Sequence, residues 1–498
     1  MKKGVVIGGG IAGLVSASIL SAQGFEITLL ERNEQLGGKL RDVCMGEYQF
    51  DFGPSTITMP WVFEQVYREA HCILDPELRF QPLMINSRNF FLDSKYIDLT
   101  ADPEYMAHQM GELCPEDRQS LVAYLHETKR MYEVVEEILL ENSSMEWKDF
   151  LHPSMTKALF SVHAFQTMDS FHRRYFEDSR LLAMMNRHAT QMGSSPYQTP
   201  ATMAFTAYLE MVQGVHYVEG GNYRLIEAFA RLAEDVGVTV CMQSGVEEVR
   251  IENGQVRGVR LENGDDVSAD FVISNVDVRT MQESLYPEKY RKTERTEPTV
   301  SSFLMLLGTD RKWPHLHHHN RFFPVDSGRE YIDIFEQKKW SYSPMISICN
   351  SSYTEPERAK QGTGSNLSVM VHVPANVGNQ RDENWFERYY QYRDELIYQL
   401  EGTWGLEGLE DSIEVQQLYG PKEIEAMSGA WQGSLYGPVL HGRKAFLRPS
   451  MKESRFQGLY YTGGSTHPTG GAPMAALSGM TIAKRVQQDA EHKMKVNV

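Results

Sequence analysis

Residues 4–13 have the sequence GVVIGGGIAG, in which a β-branched run is followed by closely spaced glycines. The β-branched run VVI predicts a short buried strand that enters a glycine turn. The spacing Gly8-x-Gly10-x-x-Gly13 then leads into a helix. In this pattern the first glycine allows a tight turn, the second lets the backbone approach a pyrophosphate, and the third lets helix and strand pack closely. We therefore predict a β-α-β unit of the Rossmann type with a dinucleotide at the helix N-terminus.

The second strand of this unit carries the acidic residue that the pattern requires. The run ITLL at residues 27–30 ends on Glu31, which lies 18 residues beyond Gly13. A carboxylate at this strand end accepts hydrogen bonds from ribose hydroxyls. Strand, glycine turn, helix, second strand and acid together indicate a nucleotide site far more strongly than the glycines alone.

Two further segments favour FAD over NAD as the dinucleotide. The first contains Gly38 and Lys39, and the second runs through the sequence FDFG into Pro54 and Ser55. Glycine-marked backbone of this kind can approach an extended cofactor closely. No second GxGxxG pattern follows a strand. We therefore expect the flavin to pass its electrons to oxygen, a quinone or another protein.

The C-terminal part of the chain supplies a matching set of glycine turns. The stretch GLYYTGG ends at Gly463 and Gly464, and a later turn at Gly471 opens another helix through Pro473 and Met474. This arrangement predicts a nucleotide that is held from both termini of the chain. These five residues are our C-terminal candidates for contacts to FAD.

Composition fits a globular protein and excludes several classes. Of the 498 residues, 41% are hydrophobic and 23% are charged, which allows two or more domains with ample core. The net charge of −17 argues against a nucleic-acid partner. The five cysteines include no CxxC pair, and this favours a reducing, cytoplasmic compartment. The glycines in the first apolar run favour a nucleotide loop over a secretory signal, and no apolar run reaches the ~20 residues of a membrane span.

The order of segments predicts two discontinuous domains. Residues 1–60, 205–295 and 440–498 are assigned to the FAD-binding domain. Residues 61–204 and 296–439 are assigned to a substrate-binding, membrane-facing domain. The chain thus leaves and re-enters the nucleotide domain twice.

Two features of the middle of the chain add further candidates. Val246 begins a predicted strand and is a candidate contact to FAD. Five methionines fall between residues 184 and 211. Because methionine fills irregular apolar space, this enrichment predicts either an ordinary helical core or an elongated apolar channel.

Four longer motifs resemble those of the phytoene desaturase family of FAD-dependent carotenoid oxidoreductases, along nearly the whole chain. They are FDFGPSTITMP at 50–60, GVHYVEGG at 214–221, ADFVISN at 269–275 and YTGGSTHPTGGAPM at 461–474. Bacterial C30 enzymes of the diapophytoene desaturase and diaponeurosporene oxidase type look most similar. The ending GAPMAALSG at 471–479 resembles the branch that oxidises terminal methyl groups.

The resemblance implies a fold, a cofactor and a substrate class. The implied fold is α/β, with a Rossmann-like FAD-binding domain of the glutathione-reductase and amine-oxidase type beside an α+β substrate-binding domain. The implied chemistry is removal of hydride from a long linear C30 or C40 polyene by non-covalently bound FAD, in carotenoid biosynthesis. Members of the family attach to membranes from one side, so the expected location is peripheral, at the inner face of the cell membrane. The oligomeric state stays open.

Candidate catalytic residues are few, because the flavin carries the difficult step. His467, in the loop before the last predicted helix, is our candidate near the flavin, either as a proton shuttle or as a structural histidine that holds the loop. The histidines His315, His317, His318 and His319 match no familiar zinc spacing and have no cysteine close in sequence. We therefore predict no metal site.

Three competing functions remain at this stage. The first is oxidation of a terminal methyl group of the polyene to an aldehyde, in place of desaturation. The second is an amine oxidase or protoporphyrinogen oxidase on the same fold, against which stands the lack of a cysteine in the terminal motif for covalent flavin. The third is a lipid-binding escort protein without flavin, against which the fingerprint and Glu31 argue.

Overall fold

The computed structural model describes residues 2–141, 153–291, 296–375, 385–439 and 448–496. The strands are β1 (Lys3–Ile7), β2 (Glu26–Leu30), β3 (Arg41–Met45), β4 (Tyr48–Phe52), β5 (Phe80–Pro82), β6 (Ser87–Phe91), β7 (Tyr96–Leu99), β8 (His216–Val218), β9 (Thr239–Cys241), β10 (Val246–Glu252), β11 (Gln255–Leu261), β12 (Asp266–Ser268), β13 (Phe271–Ser274), β14 (Ser301–Thr309), β15 (His319–Phe323), β16 (Ile346–Asn350), β17 (Ser365–Val373), β18 (Ile413–Tyr419) and β19 (Leu459–Tyr461). The α-helices are α1 (Ile11–Ala22), α2 (Pro60–Glu69), α3 (Pro103–Leu113), α4 (Asp117–Glu141), α5 (Pro153–Ser161), α6 (Met168–His172), α7 (Ser179–Asn186), α8 (Phe205–Tyr208), α9 (Arg224–Asp235), α10 (Val278–Thr280), α11 (Ser327–Tyr331), α12 (Trp385–Trp404), α13 (Leu409–Ser412), α14 (Pro421–Ser428) and α15 (Ala472–Val496).

The nucleotide-binding half is built on a parallel five-stranded sheet in the order β19-β13-β1-β2-β9. Its strands come from the N-terminal, middle and C-terminal segments that the sequence assigns to FAD binding. The predicted unit β1-α1-β2 is confirmed. The domain partition itself stays a prediction that this strand distribution supports, and its boundaries at residues 295 and 440 lie outside the described residues.

Alternation along β1 explains how this sheet is covered on both faces. Val6 packs into the core formed with helices α1, α9 and α15. Val5 and Ile7 point to the other face and pack against the three-stranded antiparallel sheet β10-β11-β12. Because the sheet is buried on both sides, its strands read as continuous apolar runs, as parallel strands do.

The other half is built on a seven-stranded sheet in the order β18-β14-β17-β16-β15-β6-β7. Its back face contributes apolar side chains such as Phe303 and Val371 to a core that also contains residues of α12. Its front face carries smaller and more polar side chains, such as Ser302, Ser368 and His372. Since side chains alternate along a strand, one sheet thus presents an apolar back and a mixed front.

The helices α2 to α8 form a helical layer whose apolar side chains pack in the same core as those of α1, α9 and α15. Met184 and Met185 are fully buried in this layer, which favours the helical-core interpretation of the methionine-rich segment for these two residues. Met192 instead lines the cavity described below. Among the described helices, none combines the length and apolar character that a bilayer crossing requires.

Candidate active site

The glycine turn between β1 and α1 has the geometry that a pyrophosphate site requires. Gly8 has a φ of +96°, where a side chain would be strained. A Cβ atom at Gly13 would lie 2.1 Å from the carbonyl oxygen of Gly8. Gly10 precedes α1, and in this fully described helix no side chain caps the first turn and no acidic residue lies in it. The first N–H groups are therefore free to bind an anion.

Glu31 ties this turn to the end of β2. Its Oε2 atom accepts a hydrogen bond of 2.8 Å from the backbone N–H of Gly9. Its Oε1 atom accepts hydrogen bonds from the backbone and the side-chain amide of Asn33, at 2.9 and 2.6 Å. The side chain is buried. Each carboxylate oxygen has lone pairs left for a ribose hydroxyl, so the predicted role fits this geometry.

Asn275 joins the glycine turns from the two ends of the chain. It follows β13, and its backbone N–H donates to the carbonyl oxygen of Ile7 at 2.8 Å. A Cβ atom at Gly10 would lie 2.7 Å from Asn275 Nδ2, and one at Gly463 would lie 2.9 Å from Asn275 Oδ1. Glycine at both positions therefore lets the two loops close around one amide side chain.

A cavity of about 440 Å³ starts at these turns and reaches the front face of the seven-stranded sheet. The predicted residues that line it are Gly10, Gly38, Lys39, Pro54, Ser55, Gly463, Gly464, Gly471, Pro473 and Met474. The structure thus brings most of the candidates together from segments more than 400 residues apart in sequence.

Five predicted residues are not among the described residues that line the cavity: Gly8, Gly13, Glu31, Val246 and His467. The first three shape and tether the glycine turn from behind. Val246 begins β10, pairs with Leu261 and packs in the cluster on the far face of the parallel sheet. A direct contact of any of the five with the cofactor stays a prediction.

The residues present fit FAD. A Cβ atom at Gly471 would meet no atom within 4 Å, so the space in front of this backbone is open. The uncapped N-terminus of α1 offers positive dipole charge to a pyrophosphate. Glu31 stands where an adenosine ribose is expected. The expected partners of an extended dinucleotide thus lie in the glycine-lined part of the cavity or directly behind it.

A buried charge cluster borders the cavity beside Gly38. Lys39 Nζ donates to the carbonyl oxygens of Ser434 and Leu435 at 2.9 and 2.6 Å. Burial lowers the pKa of Lys39 to about 8, against the opposing effect of Asp277. Burial also raises the pKa of the Asp277 carboxyl above its usual range. The two carbonyl acceptors and the nearby carboxyl together hold the Lys39 side chain in place beside the cavity.

The far wall of the cavity carries a second buried charge cluster. The guanidinium of Arg187 is paired with the carboxylate of Glu210, and both side chains are almost fully buried. Gln191 Nε2 donates to Glu210 Oε1 at 2.9 Å. Arg187 holds the pKa of Glu210 well below its usual range, despite burial, which acts in the opposite direction. Arg321 lines the same wall from β15.

The four histidines at residues 315–319 do not all lie in one cluster of the described residues, but two of them lie close to a cysteine. Register pairs His319 with Cys349 across β15 and β16, and the ligand atoms of His318, His319 and Cys349 lie within 4.8 Å of one another. Strand pairing brings these histidines close to a cysteine that is 30 residues away in sequence. The expectation that no cysteine lies nearby is therefore wrong for the folded chain.

All three groups are neutral in this environment. Burial lowers the pKa of His318 to about 3 and raises that of the Cys349 thiol to about 12. The positive charges of Arg358 and Arg321 act on His318 and His319 respectively, and both disfavour a further cation. The absence of a metal stays a prediction.

His467 lies in the loop before α15 and is partly buried. Burial and the nearby charge of Arg448 lower the pKa of its imidazole to about 4. Arg448 itself holds the loop, since its Nε donates to the carbonyl oxygen of Thr466 at 2.9 Å. This environment fits the structural alternative for His467, and the shuttle role stays a hypothesis.

Sequence reasoning missed several residues that line the cavity. Asn275 and Asp277 follow β13, and their place at the carboxyl end of a predicted strand was a usable signal. For Tyr436 the sequence left a channel-lining role open beside ordinary core packing, and the structure places it in the cavity wall against Gly470, where a Cβ atom would lie 2.2 Å from its ring. The sequence contains no comparable indication that Arg187 and Arg321 line a cavity, because only the packing of the helical layer on the seven-stranded sheet brings them together.

Comparisons with known proteins agree with this geometry. The family model for flavin-containing amine oxidoreductases matches residues 11–487. The chain is 32% identical over 493 residues to a 4,4'-diapolycopene oxygenase from Methylomonas sp, covering 98% of each chain. It is 30% identical over 496 residues to a 1-hydroxycarotenoid 3,4-desaturase from Flavobacterium sp. (strain P99-3), covering 97% of this chain and 98% of the relative.

A solved structure shows the same fold at low sequence identity. Putrescine oxidase bound to putrescine superposes with a TM-score of 0.63 and 12% identity, covering 98% of this chain and 99% of its own. The predicted α/β fold of the amine-oxidase type is confirmed by this likeness and by the sheet order. Together with the match over nearly the full length, these observations show that the chain belongs to the flavin-containing amine oxidoreductase family.

Proposed function

We propose that this chain is an FAD-dependent oxidoreductase that acts on long linear polyenes in carotenoid biosynthesis, with oxidation at the end of a C30 chain as its preferred reaction. The observation that carries the proposal is the full-length similarity to a relative named as a diapolycopene oxygenase. The cavity adds support, because it joins the expected flavin position to a wall that mixes apolar and polar side chains.

The residues of the cavity are suited to binding and orienting an apolar chain. FAD, when bound, would supply the hydride acceptor. In desaturation one substrate carbon loses a hydride and its neighbour loses a proton, whereas oxidation of a chain-end methyl group to a carbonyl takes two successive two-electron oxidations with one oxygen atom added. Leu304, Met345, Ile348 and Met370 line the wall opposite the glycine turns and give an elongated chain an adaptable apolar surface. Lys39, beside Gly38, keeps a positive charge at the edge of the cavity, where its Nζ atom donates to the carbonyl oxygens of Ser434 and Leu435.

Desaturation is the alternative within the same substrate class. Both reactions need the same cofactor and a similar cavity, and they differ in whether an internal bond or the chain end reaches the flavin. The terminal stretch at 471–479 and the oxygenase relative favour the chain end, whereas the desaturase relative supports internal bonds. Chain-end oxidation to a carbonyl also needs an oxygen atom, from dioxygen or water.

Amine oxidation has weaker support, although the family is named for it. A flavin-dependent amine site needs an aromatic enclosure for the amine, since aromatic faces attract cations. Among the described residues of the cavity wall, only Phe52 and Tyr436 carry phenyl or phenol rings. Arg187 and Arg321 on the same wall repel an ammonium substrate.

The deciding experiment supplies FAD-loaded protein with liposomes that contain either a colourless C30 precursor or a desaturated C30 polyene. We expect carbonyl formation on the desaturated polyene and an inert precursor, with mass spectrometry and ¹⁸O-labelled dioxygen or water identifying the source of oxygen. Colour from the precursor, with loss of hydrogen pairs, would establish a desaturase. Inactivity with both, alongside turnover of a diamine, would overturn the polyene assignment. FAD-stripped protein is the control.

Peripheral attachment to the inner face of the cell membrane is the second part of the proposal. Phe160 and Phe165 are 66% and 65% exposed, and their ring centroids are 4.9 Å apart, beside α5. Exposed apolar side chains that lie together mark surfaces for contact with a membrane or a protein. We expect a Phe160→Ser, Phe165→Ser double variant to lose co-sedimentation with vesicles. The control is Phe386→Ser, at an exposed phenylalanine of α12, and equal loss in both variants would contradict this surface.

A further inference from the structure

Arg321 is a buried cation whose side chain is incompletely paired by the described residues. It lies in β15, its side chain lines the cavity, and the residue is 8% exposed. Its Nη1 atom is buried and has no hydrogen-bond partner among the described residues. A guanidinium that is removed from water and left unpaired is costly, so such a group is retained where a ligand completes it.

The neighbouring charges do not neutralise Arg321. Glu210 is the nearest carboxylate that acts on it, and this group is already paired with Arg187 and hydrogen-bonded by Gln191. His188 and His319 add no negative charge and are neutral, because burial lowers the pKa of His188 to about 3 and that of His319 well below its usual range. Two guanidinium groups and one carboxylate leave one net positive charge on this wall.

The surroundings define what kind of anion fits. Ser347, which pairs with Arg321 across β15 and β16, adds a hydroxyl to the same wall. Met345 and Ile348 continue this wall as apolar surface. A single excess positive charge and a hydroxyl in a largely apolar surrounding match a carboxylate on a long apolar chain. A phosphate dianion would carry more charge than this wall compensates.

We propose that Arg321 binds the carboxylate end of a long apolar chain, so that the cavity accepts polyene acids in addition to hydrocarbons. The identity of the apolar chain rests on the proposed function, whereas the anion site rests on the geometry of Arg321 alone. Arg187 and Glu210 hold the helical side of the site, and Arg321 supplies the free donors. The expected FAD pyrophosphate position at the N-terminus of α1 belongs to the other sheet and does not use this guanidinium.

The test measures binding without turnover. FAD-loaded protein is titrated at neutral pH with a fluorescent long-chain tetraene fatty acid and, separately, with its methyl ester. We expect the acid to bind at least about 10-fold more tightly than the ester, since a charged hydrogen bond contributes about 1.5–3 kcal/mol. Arg321→Met is expected to abolish this preference, so that the ratio of acid to ester affinity falls to about one, and Arg321→Lys to keep part of it. The matched control is Arg311→Met, at an exposed arginine that is not among the described lining residues.

Each outcome bears on the site directly. Equal binding of acid and ester to the wild-type protein overturns the proposal, and this measurement needs no variant to fold. An unchanged preference in Arg321→Met also overturns it. Loss of bound FAD in Arg321→Met, read from its absorbance, would assign the guanidinium to the cofactor and overturn the proposal as well. If the protein converts no polyene but still prefers the acid, the proposed function is wrong and the anion site is supported.

Discussion

The carboxylate of Glu31 and the backbone N–H of Gly9 are joined by a buried hydrogen bond of 2.8 Å that ties the end of β2 to the glycine turn. This bond fixes the turn at the point where the chain reverses into α1. The same side chain also holds Asn33 through its other oxygen. Glu31 therefore has two tasks, to shape the turn and to remain available to a ribose.

We expect Glu31→Gln to weaken FAD binding about 10- to 100-fold, because the amide keeps the size of the side chain but loses the charge that strengthens its three hydrogen bonds. The measurement is the Kd of FAD for the apoprotein, from quenching of flavin fluorescence. Glu47→Gln, at an exposed position of the hairpin between β3 and β4, is the matched control. An unchanged Kd in Glu31→Gln would show that the carboxylate serves neither task.

Gly13→Ala tests the contact between α1 and β1. The added Cβ atom would lie 2.1 Å from the carbonyl oxygen of Gly8, and backbone at this distance has to move. We expect loss of bound FAD and a lower Tm. Gly402→Ala is the control, since a Cβ atom there meets nothing within 4 Å and alanine favours the helix α12. Retention of FAD and of the wild-type Tm in Gly13→Ala would contradict the close approach.

The nucleotide site was largely predictable because its signals are local in sequence. The spacing from Gly8 to Gly13 and the position of Glu31 depend on one β-α-β unit, whose geometry is set within about 30 residues. The sequence predicted that glycine turns from both ends of the chain hold the nucleotide. That Gly10 and Gly463 both lie against the side chain of Asn275 became visible only in the structure. Short-range spacing therefore identified the cofactor and the turn but not the side chain that joins the two loops.

The far wall of the cavity, with Arg187 and Arg321, was not predictable from the sequence for a physical reason. Alternation in β15 places Arg321 and Phe322 on opposite faces of a strand, but it does not say which face borders a cavity. That choice depends on the packing of the helical layer with Arg187 and on pairing with β16, where Cys349 lies opposite His319. Both are long-range contacts that no local pattern reports.

Buried histidines predict that the protein loses stability in mild acid. His172 is fully buried between Tyr124 and Asn186, and burial lowers its pKa to about 4. Because the folded pKa lies below the unfolded value of about 6.5, the unfolded chain binds more protons as the pH falls from 6.5 to 4. This one group then removes about 3 kcal/mol of stability across that window.

We expect His172→Gln to have a lower Tm than wild type at pH 7, where hydrogen bonds are lost, and a smaller fall in Tm between pH 6.5 and 4. Thermal unfolding followed by circular dichroism across this window provides the measurement. His108→Gln, at an exposed histidine of α3, should follow the wild-type curve. If His172→Gln fell as steeply as wild type, another buried group would have to carry the acid sensitivity.

His467 provides the last prediction, because its environment separates the two roles considered for it. An imidazole whose pKa is lowered to about 4 is neutral across the physiological range, and among the described residues it does not line the cavity. A structural histidine of this kind supports the loop that carries Thr466 and Gly471 toward the cavity. We therefore expect His467→Gln to lower the Tm while leaving the shape of the pH profile of kcat/KM unchanged. The pH profile is the informative readout, since a merely weakened loop lowers kcat/KM at every pH by the same factor. If the acidic limb of the profile near pH 4 to 5 disappeared in His467→Gln, the imidazole would have to exchange a proton during turnover and the shuttle hypothesis would replace the structural one.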